Sequence, residues 1–157
     1  MTTINEAIRQ EKFASEHEKA VINLVFTSGW VQGILHRFLK QYDISPQQYN
    51  VLRILRGQHP AAASVSLIQE RMLDKMSNAS RLVEKLKLKG LVKRSECPND
   101  RRQVDVVITG KGLELLEEIG QNPEHLQAVE ASIHCDEAKQ LNYILDKLRT
   151  NQNKQEA

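Results

Sequence analysis

"DKMSNASRLVEKLKLKGLVKRSECPNDRRQVDVVITGKG", residues 74–112, joins two patterns of different period at one glycine. Up to Gly90 the pattern is helical: Ala79, Leu82, Val83 and Leu86 fall at i, i+3, i+4 and i+7 and make one apolar stripe. Asp74 reads as the N-cap of this helix and Gly90 as its terminator. Beyond Gly90 the period changes to two, with Val104, Val106 and Ile108 at alternate positions and Asp105 between the first two. Pro98 and Asn99 mark a turn, so two short strands, about 91–96 and 103–109, are predicted around a projecting tip. That tip carries Asp100, Arg101 and Arg102. A turn needs Gly, Asn or Asp for its backbone angles; it does not need two guanidinium groups.

The face of the 74–89 helix opposite the stripe carries Asn78, Arg81, Lys85 and Lys89, with Ser77 and Ser80 at its margin. Asn can bond adenine through both edges of its amide, Arg can do the same for guanine, and hydroxyls reach base edges or phosphates. Lysines farther along suit phosphates. In the strand-like tip, residues two apart project to the same side, so Asp100 can restrain Arg102 and aim it outward. A guanidinium aimed from a projecting ribbon suits a narrow minor groove, whereas Arg101, on the other side, suits a phosphate. The alternative, an ordinary charged surface with an exposed ion pair at its tip, explains the pair poorly, because such pairs add little stability.

Working outward, residues 71–102 carry ten basic and four acidic side chains, net +6, against −4 for the rest of a chain whose total is +2. A basic middle between acidic ends points to a polyanionic partner. Upstream, a long helix is predicted from about Ser15 to Tyr42, with Ser15 and Glu18 forming a capping box. Gly29 and Gly33 interrupt it as a tolerated pair, a kink or a close crossing. Ser45, Pro46 and Gln48 start a second helix that ends near Gly57. A short third helix follows, with Ser66 as cap and Gln69 at its third position. Downstream, Thr109 caps a helix through "GKGLELLEEI", residues 120–123 break the pattern, and a last helix at about 135–150 shows Ala138, Leu141, Leu145 and Leu148 on one stripe.

The order is four helices, a hairpin and two helices. The fold class is mainly α with a small β-wing, a winged helix-turn-helix with N- and C-terminal helices outside it. The regions are 1–42, 43–112 and 113–157. The chain has 157 residues, 40% hydrophobic and 27% charged, enough for one globular domain with an aliphatic core. No apolar run approaches a membrane span and the charged N-terminus has no signal-peptide pattern, which predicts a cytoplasmic protein without a membrane partner.

Three segments, "ISPQQYNVLRIL", "SRLVEKLKLKGLVKR" and "PNDRRQVDVVITGKG", resemble the corresponding parts of the MarR family of bacterial transcription regulators. The likeness runs from about residue 20 to 148, and the Asp100-x-Arg102 wing followed by Thr109-x-Lys111-Gly112 is its most specific part. It implies a homodimer built by N- and C-terminal helices, bound to double-stranded DNA at a pseudo-palindromic operator. It implies reading of that operator by Ser77, Asn78, Ser80 and Arg81, and insertion of Arg102 into the minor groove. It also implies a repressor released by a small aromatic or lipophilic effector, for which Trp30 and Tyr49 are candidate pocket walls; the plain alternative is that both are core residues.

No catalytic residue, cofactor or metal is expected. There is no Gly-rich phosphate loop, nucleophile elbow or paired-carboxylate motif. The five histidines and two cysteines form no H-x-x-x-H or C-x-x-C. Cys97 and Cys135 are read as inert, Cys135 as a helix-start residue. The rival to a DNA-binding regulator is a winged-helix module for protein–protein interaction, which leaves the basic segment and Arg102 without a role.

Overall fold

The computed structural model describes residues 2–97, 100–122 and 124–150; for residues 96, 97, 100–103, 125, 126 and 128 it describes the backbone alone. The chain divides into two compact units, 1–121 and 122–157. The first contains α1 (Ile4–Ile8), α2 (Glu16–Lys40), α3 (Pro46–Gln58), β1 (Ala63–Ser64), α4 (Val65–Arg71), α5 (Ala79–Leu88), β2 (Val92–Cys97), β3 (Asp100–Ile108) and α6 (Gly110–Gln121). The second contains α7 (Glu124–Glu130) and α8 (Cys135–Thr150). The first unit is a winged helix-turn-helix: α4 and α5 form the helical pair, β2 and β3 the wing.

Local capping chemistry sets most helix starts. Ser45 accepts the Gln48 N–H at 3.2 Å while Gln48 Oε1 accepts the Ser45 N–H at 2.9 Å, with Pro46 at the first helical position. Thr3 and Glu6 make the same reciprocal pair at the head of α1, a helix absent from the sequence reading. At α2, Ser15 accepts the Glu18 N–H as expected, but the Glu18 carboxylate takes the N–H of Ala14 instead of that of Ser15. The helix then runs unbroken through Gly29 and Gly33. A Cβ at Gly29 would meet nothing within 4 Å, so no close crossing within this chain requires it.

Two expected boundaries move. The third helix is capped by Ser64, whose hydroxyl accepts the Leu67 N–H at 3.1 Å; Ser66 lies inside the helix. Strand pairing places Ser64 there, because Ala63 and Ser64 pair antiparallel with Val106 and Asp105 and the helix can begin only where that bridge ends. Helix α5 starts at Ala79 with Asn78 as its cap, not at Asp74. Asp74 instead closes a separate turn, accepting the Met76 N–H at 3.0 Å and the Ser77 hydroxyl at 2.7 Å. Ser77 and Asn78 therefore precede the helix and do not lie on its face.

The core of the first unit is aliphatic. Leu39, Val51, Leu52, Leu55, Ile68 and Leu86 are buried with Val106 and Ile108 from the alternating strand. Ala79, Val83 and Leu86 bury the predicted stripe of α5, with Leu82 partly covered. Leu116 and Ile119 of α6 belong to the same core, so residues 113–121 pack with the winged helix. The sheet order is β1-β3-β2, all antiparallel, with Val92 opposite Ile108 and Arg94 opposite Val106.

The Thr109-x-Lys111-Gly112 segment is a clamp between α5, the wing and α6. Thr109 Oγ1 donates to the Gly90 carbonyl at 2.8 Å and accepts the Gly112 N–H at 3.1 Å, and Lys111 Nζ donates to the Lys89 carbonyl at 3.0 Å. Gly90 ends α5 at φ 72°, with its N–H and that of Leu91 returning to Lys87 and Leu86. A Cβ on Gly112 would run into the Leu91 carbonyl and lie 2.7 Å from Ile108 Cγ1. Gly112→Ala is expected to cost about 1–3 kcal/mol by overpacking. Urea unfolding should show a lower midpoint; an unchanged midpoint would mean that the Leu91 backbone and the Ile108 side chain yield without cost.

In the second unit no described side chain is buried. Leu141, Ile144 and Leu148 on α8 are about half exposed. Among the described residues no helix is long and apolar enough to cross a membrane.

Candidate nucleic-acid interface

The interface is built from the connection before α5 outward. Asn78 Oδ1 accepts the Arg81 N–H at 3.0 Å, which leaves its amide Nδ2 without a partner among the described residues. The two-edged contact with adenine expected from sequence is thus partly committed to capping. Gln69 of α4, read as a helix-start residue, acts here instead. Its Oε1 accepts the Ala79 N–H at 3.0 Å and its Nε2 donates to the Lys75 carbonyl at 3.2 Å, fixing α5 on α4. No local pattern could have disclosed this, since the partners lie ten and six residues away.

Ser80, Arg81 and Lys85 are exposed on α5, and none has a side-chain partner among the described residues. They stand opposite a helix face that is anchored in the core, so their backbone positions are rigid. Lys89, expected beside them, turns away. Its ammonium lies 2.7 Å from Asp43 Oδ2 and also bonds the Asp43 carbonyl, tying the C-terminus of α5 to the end of α2. Asp43 holds φ 53°, a left-handed conformation that Asp tolerates better than most residues.

Two acids inside the basic segment are occupied. Arg94 of β2 hydrogen-bonds Glu84 at 2.9 Å and, with Lys87 at 3.5 Å, holds the Glu84 carboxyl below the usual carboxylate range. The Ser77 hydroxyl, followed by the Met76 N–H, lowers Asp74 in the same sense. Both carboxylates therefore stay charged well below neutral pH.

Asp100, Arg101 and Arg102 begin β3 by their backbone, but their side chains lie outside the described residues, as do Pro98 and Asn99 entirely. Trp30 and Tyr49, the candidate effector contacts, lie on α2 and α3 respectively. Trp30 is 46% exposed on α2. Tyr49 packs against the core with Arg53 5.8 Å from its ring centroid. Cys135 is exposed at the start of α8, and the Cys97 side chain lies outside the described residues. Among the described residues no three His, Cys, Asp or Glu side chains gather as metal ligands would.

A core-anchored helix with an exposed basic face, preceded by a helical pair and followed by a two-stranded wing, defines a nucleic-acid-binding protein of the winged helix-turn-helix class. The model of the MarR family matches residues 42–103. A MarR transcription factor from Planctomyces limnophilus is 30% identical, covering 86% of this chain and 98% of its own, with a TM-score of 0.63. The multiple antibiotic resistance protein MarR of Salmonella typhimurium is 29% identical over 117 residues, 73% of this chain and 80% of that protein. A point mutant of MarR from E. coli complexed with operator DNA shares the fold, with a TM-score of 0.76 at 24% identity, covering 88% of this chain and 99% of its own. The chain belongs to the MarR family.

Proposed function

We propose that this protein is a sequence-specific, DNA-binding transcription regulator that acts as a homodimer on a pseudo-palindromic operator in the cytoplasm. One observation carries this reading: Ser80, Arg81 and Lys85 project from the first two turns of a helix whose other face is locked into the core. The N-terminal part of a recognition helix is the part that meets base edges. Ser77 and Asn78 extend the same surface from the preceding turn. On the sequence argument, Arg102 enters the minor groove and Arg101 meets a phosphate.

The dimer is supported by apolar faces that a single chain leaves uncovered. On α2, Val21, Leu24, Val25, Phe26 and Trp30 are between 44% and 68% exposed. Val21, Leu24 and Val25 lie on one side of the helix and Phe26 and Trp30 on the other, and exposed apolar patches of this kind mark interaction surfaces. The regulator is a repressor released by a small aromatic or lipophilic effector. Trp30 on α2 and Tyr49 beside Arg53 remain its candidate contacts, an expectation carried from the family.

Salt titration of duplex binding by fluorescence anisotropy tests the reading. If the basic face meets phosphates at several positions, affinity should fall roughly 10³-fold or more between about 50 and about 200 mM salt. Absence of any salt-dependent affinity for duplex DNA would favour the protein–protein module instead.

A further inference from the structure

The connection between α4 and α5 binds its own polar groups almost completely. The Leu73 N–H donates to Asn50 Oδ1 at 2.9 Å, Asp74 takes the Met76 N–H and the Ser77 hydroxyl, and Gln69 bridges the Lys75 carbonyl to the Ala79 N–H. The Lys75 ammonium folds back onto the Glu70 carbonyl. Beside the exposed Asp74, Lys75 and Asn78, this fixed turn displays two large apolar side chains: Leu73 is 87% exposed and Met76 94%.

Single exposed apolar side chains are ordinary on protein surfaces. Met76 differs in its setting. It lines an open groove between α4 and α5, bounded on the α4 side by Val65, Gln69 and Glu70 and on the other by Ser77, Asn78 and Ser80. The last three are the groups nearest the N-terminus of the recognition helix, where base edges are met. The sole apolar group that a base edge offers in the major groove is the C5-methyl of thymine. A thioether side chain, unbranched and polarisable, adapts its shape to such a methyl more readily than a branched one. From this juxtaposition we infer that Met76 is a specificity-determining residue that reads a thymine methyl in each half-site, beside the hydrogen-bonding residues of α5. This assignment rests on the DNA-binding reading above.

The test removes one methyl at a time. Duplexes bound by the full-length protein are selected from random DNA. Each thymine of the selected site is then replaced by deoxyuridine, symmetrically in both half-sites, and anisotropy is measured at fixed salt for the parent protein and Met76→Ala. For the parent, one symmetric position should weaken binding by about fourfold per half-site, the worth of one buried methyl group, or about fifteenfold for both. Met76→Ala should bind the thymine and deoxyuridine duplexes alike at that position, while keeping its response to substitution elsewhere. If Met76→Ala discriminates thymine from deoxyuridine as the parent does, or if the parent shows no such position, the assignment is overturned. If the parent selects no duplex at all, the failure lies with the DNA-binding reading, so the two outcomes are distinct. Since Met76 is almost fully exposed, its truncation leaves the core untouched, and the unfolding midpoint of the variant checks this.

Discussion

Truncation after Ala131 is expected to convert the protein from a dimer to a monomer and to weaken operator binding by at least about 10²-fold. The segment removed contains α8, whose Leu141, Ile144 and Leu148 are 48%, 53% and 57% exposed in the single chain. An amphipathic helix gains its stability from burying its apolar face, and no described side chain of the second unit is buried. In the proposed dimer a second copy supplies the missing cover, and two-fold symmetry makes every such contact count twice. Loss of the dimer separates the two reading heads, and the effective concentration that links half-sites typically contributes about 10²–10⁴ in affinity. The double variant Leu141→Asp/Leu148→Asp keeps the helix in place and puts two charges on the same face, so it should behave as the truncation does. Light scattering decides the matter: an unchanged dimer mass for both proteins would refute the assignment of α8 to the interface.

The two faces of the fold were not equally readable from sequence. Capping boxes were legible wherever both partners lie within one turn, as at Ser45 and Gln48, because nothing outside the segment competes for them. The Thr3–Glu6 pair carries the same signal and would have disclosed α1. Where two caps compete, distant contacts choose. Ser64 prevails over Ser66 because β1 must pair with β3, some 40 residues later in the chain. Asn78 prevails over Asp74 because Gln69, ten residues back, takes the Ala79 N–H and starts the helix there. The apolar stripe of α5 was legible throughout, since Ala79, Val83 and Leu86 obey a single period. The direction of Lys89 was not. A lysine at the end of a basic face looks like its neighbours in sequence, and only the chain turn at Asp43 draws it aside. The candidate interface is therefore narrower than its sequence pattern, centred on Ser80, Arg81 and Lys85 and on the turn before them.

That narrowing sharpens what two arginines should do. The Arg81 backbone is held by Asn78 in the first turn of α5, and its exposed side chain has no partner among the described residues. Its guanidinium can therefore be spent wholly on a base edge, and Arg81→Ala should lose about 1–3 kcal/mol per half-site, roughly 30-fold or more across two, with preference relaxed at one base pair in each. Arg102→Ala should act differently, because a minor-groove arginine answers to groove width and potential more than to hydrogen-bonding pattern. Its loss should weaken binding at every site, most where the flanks are A/T-rich, and leave the base preferences set by α5 intact. On the sequence argument that Asp100 restrains Arg102, Asp100→Ala should resemble Arg102→Ala in weaker form. Half-sites should lie about one helical turn apart, the spacing that a two-fold dimer of recognition helices imposes. Anisotropy at fixed salt, on duplexes that differ only in their flanks or in one base pair, separates the two roles. If Arg102→Ala binds A/T-rich and G/C-rich flanks as the parent does, the wing does not enter the minor groove, and the arginine pair at its tip needs another explanation.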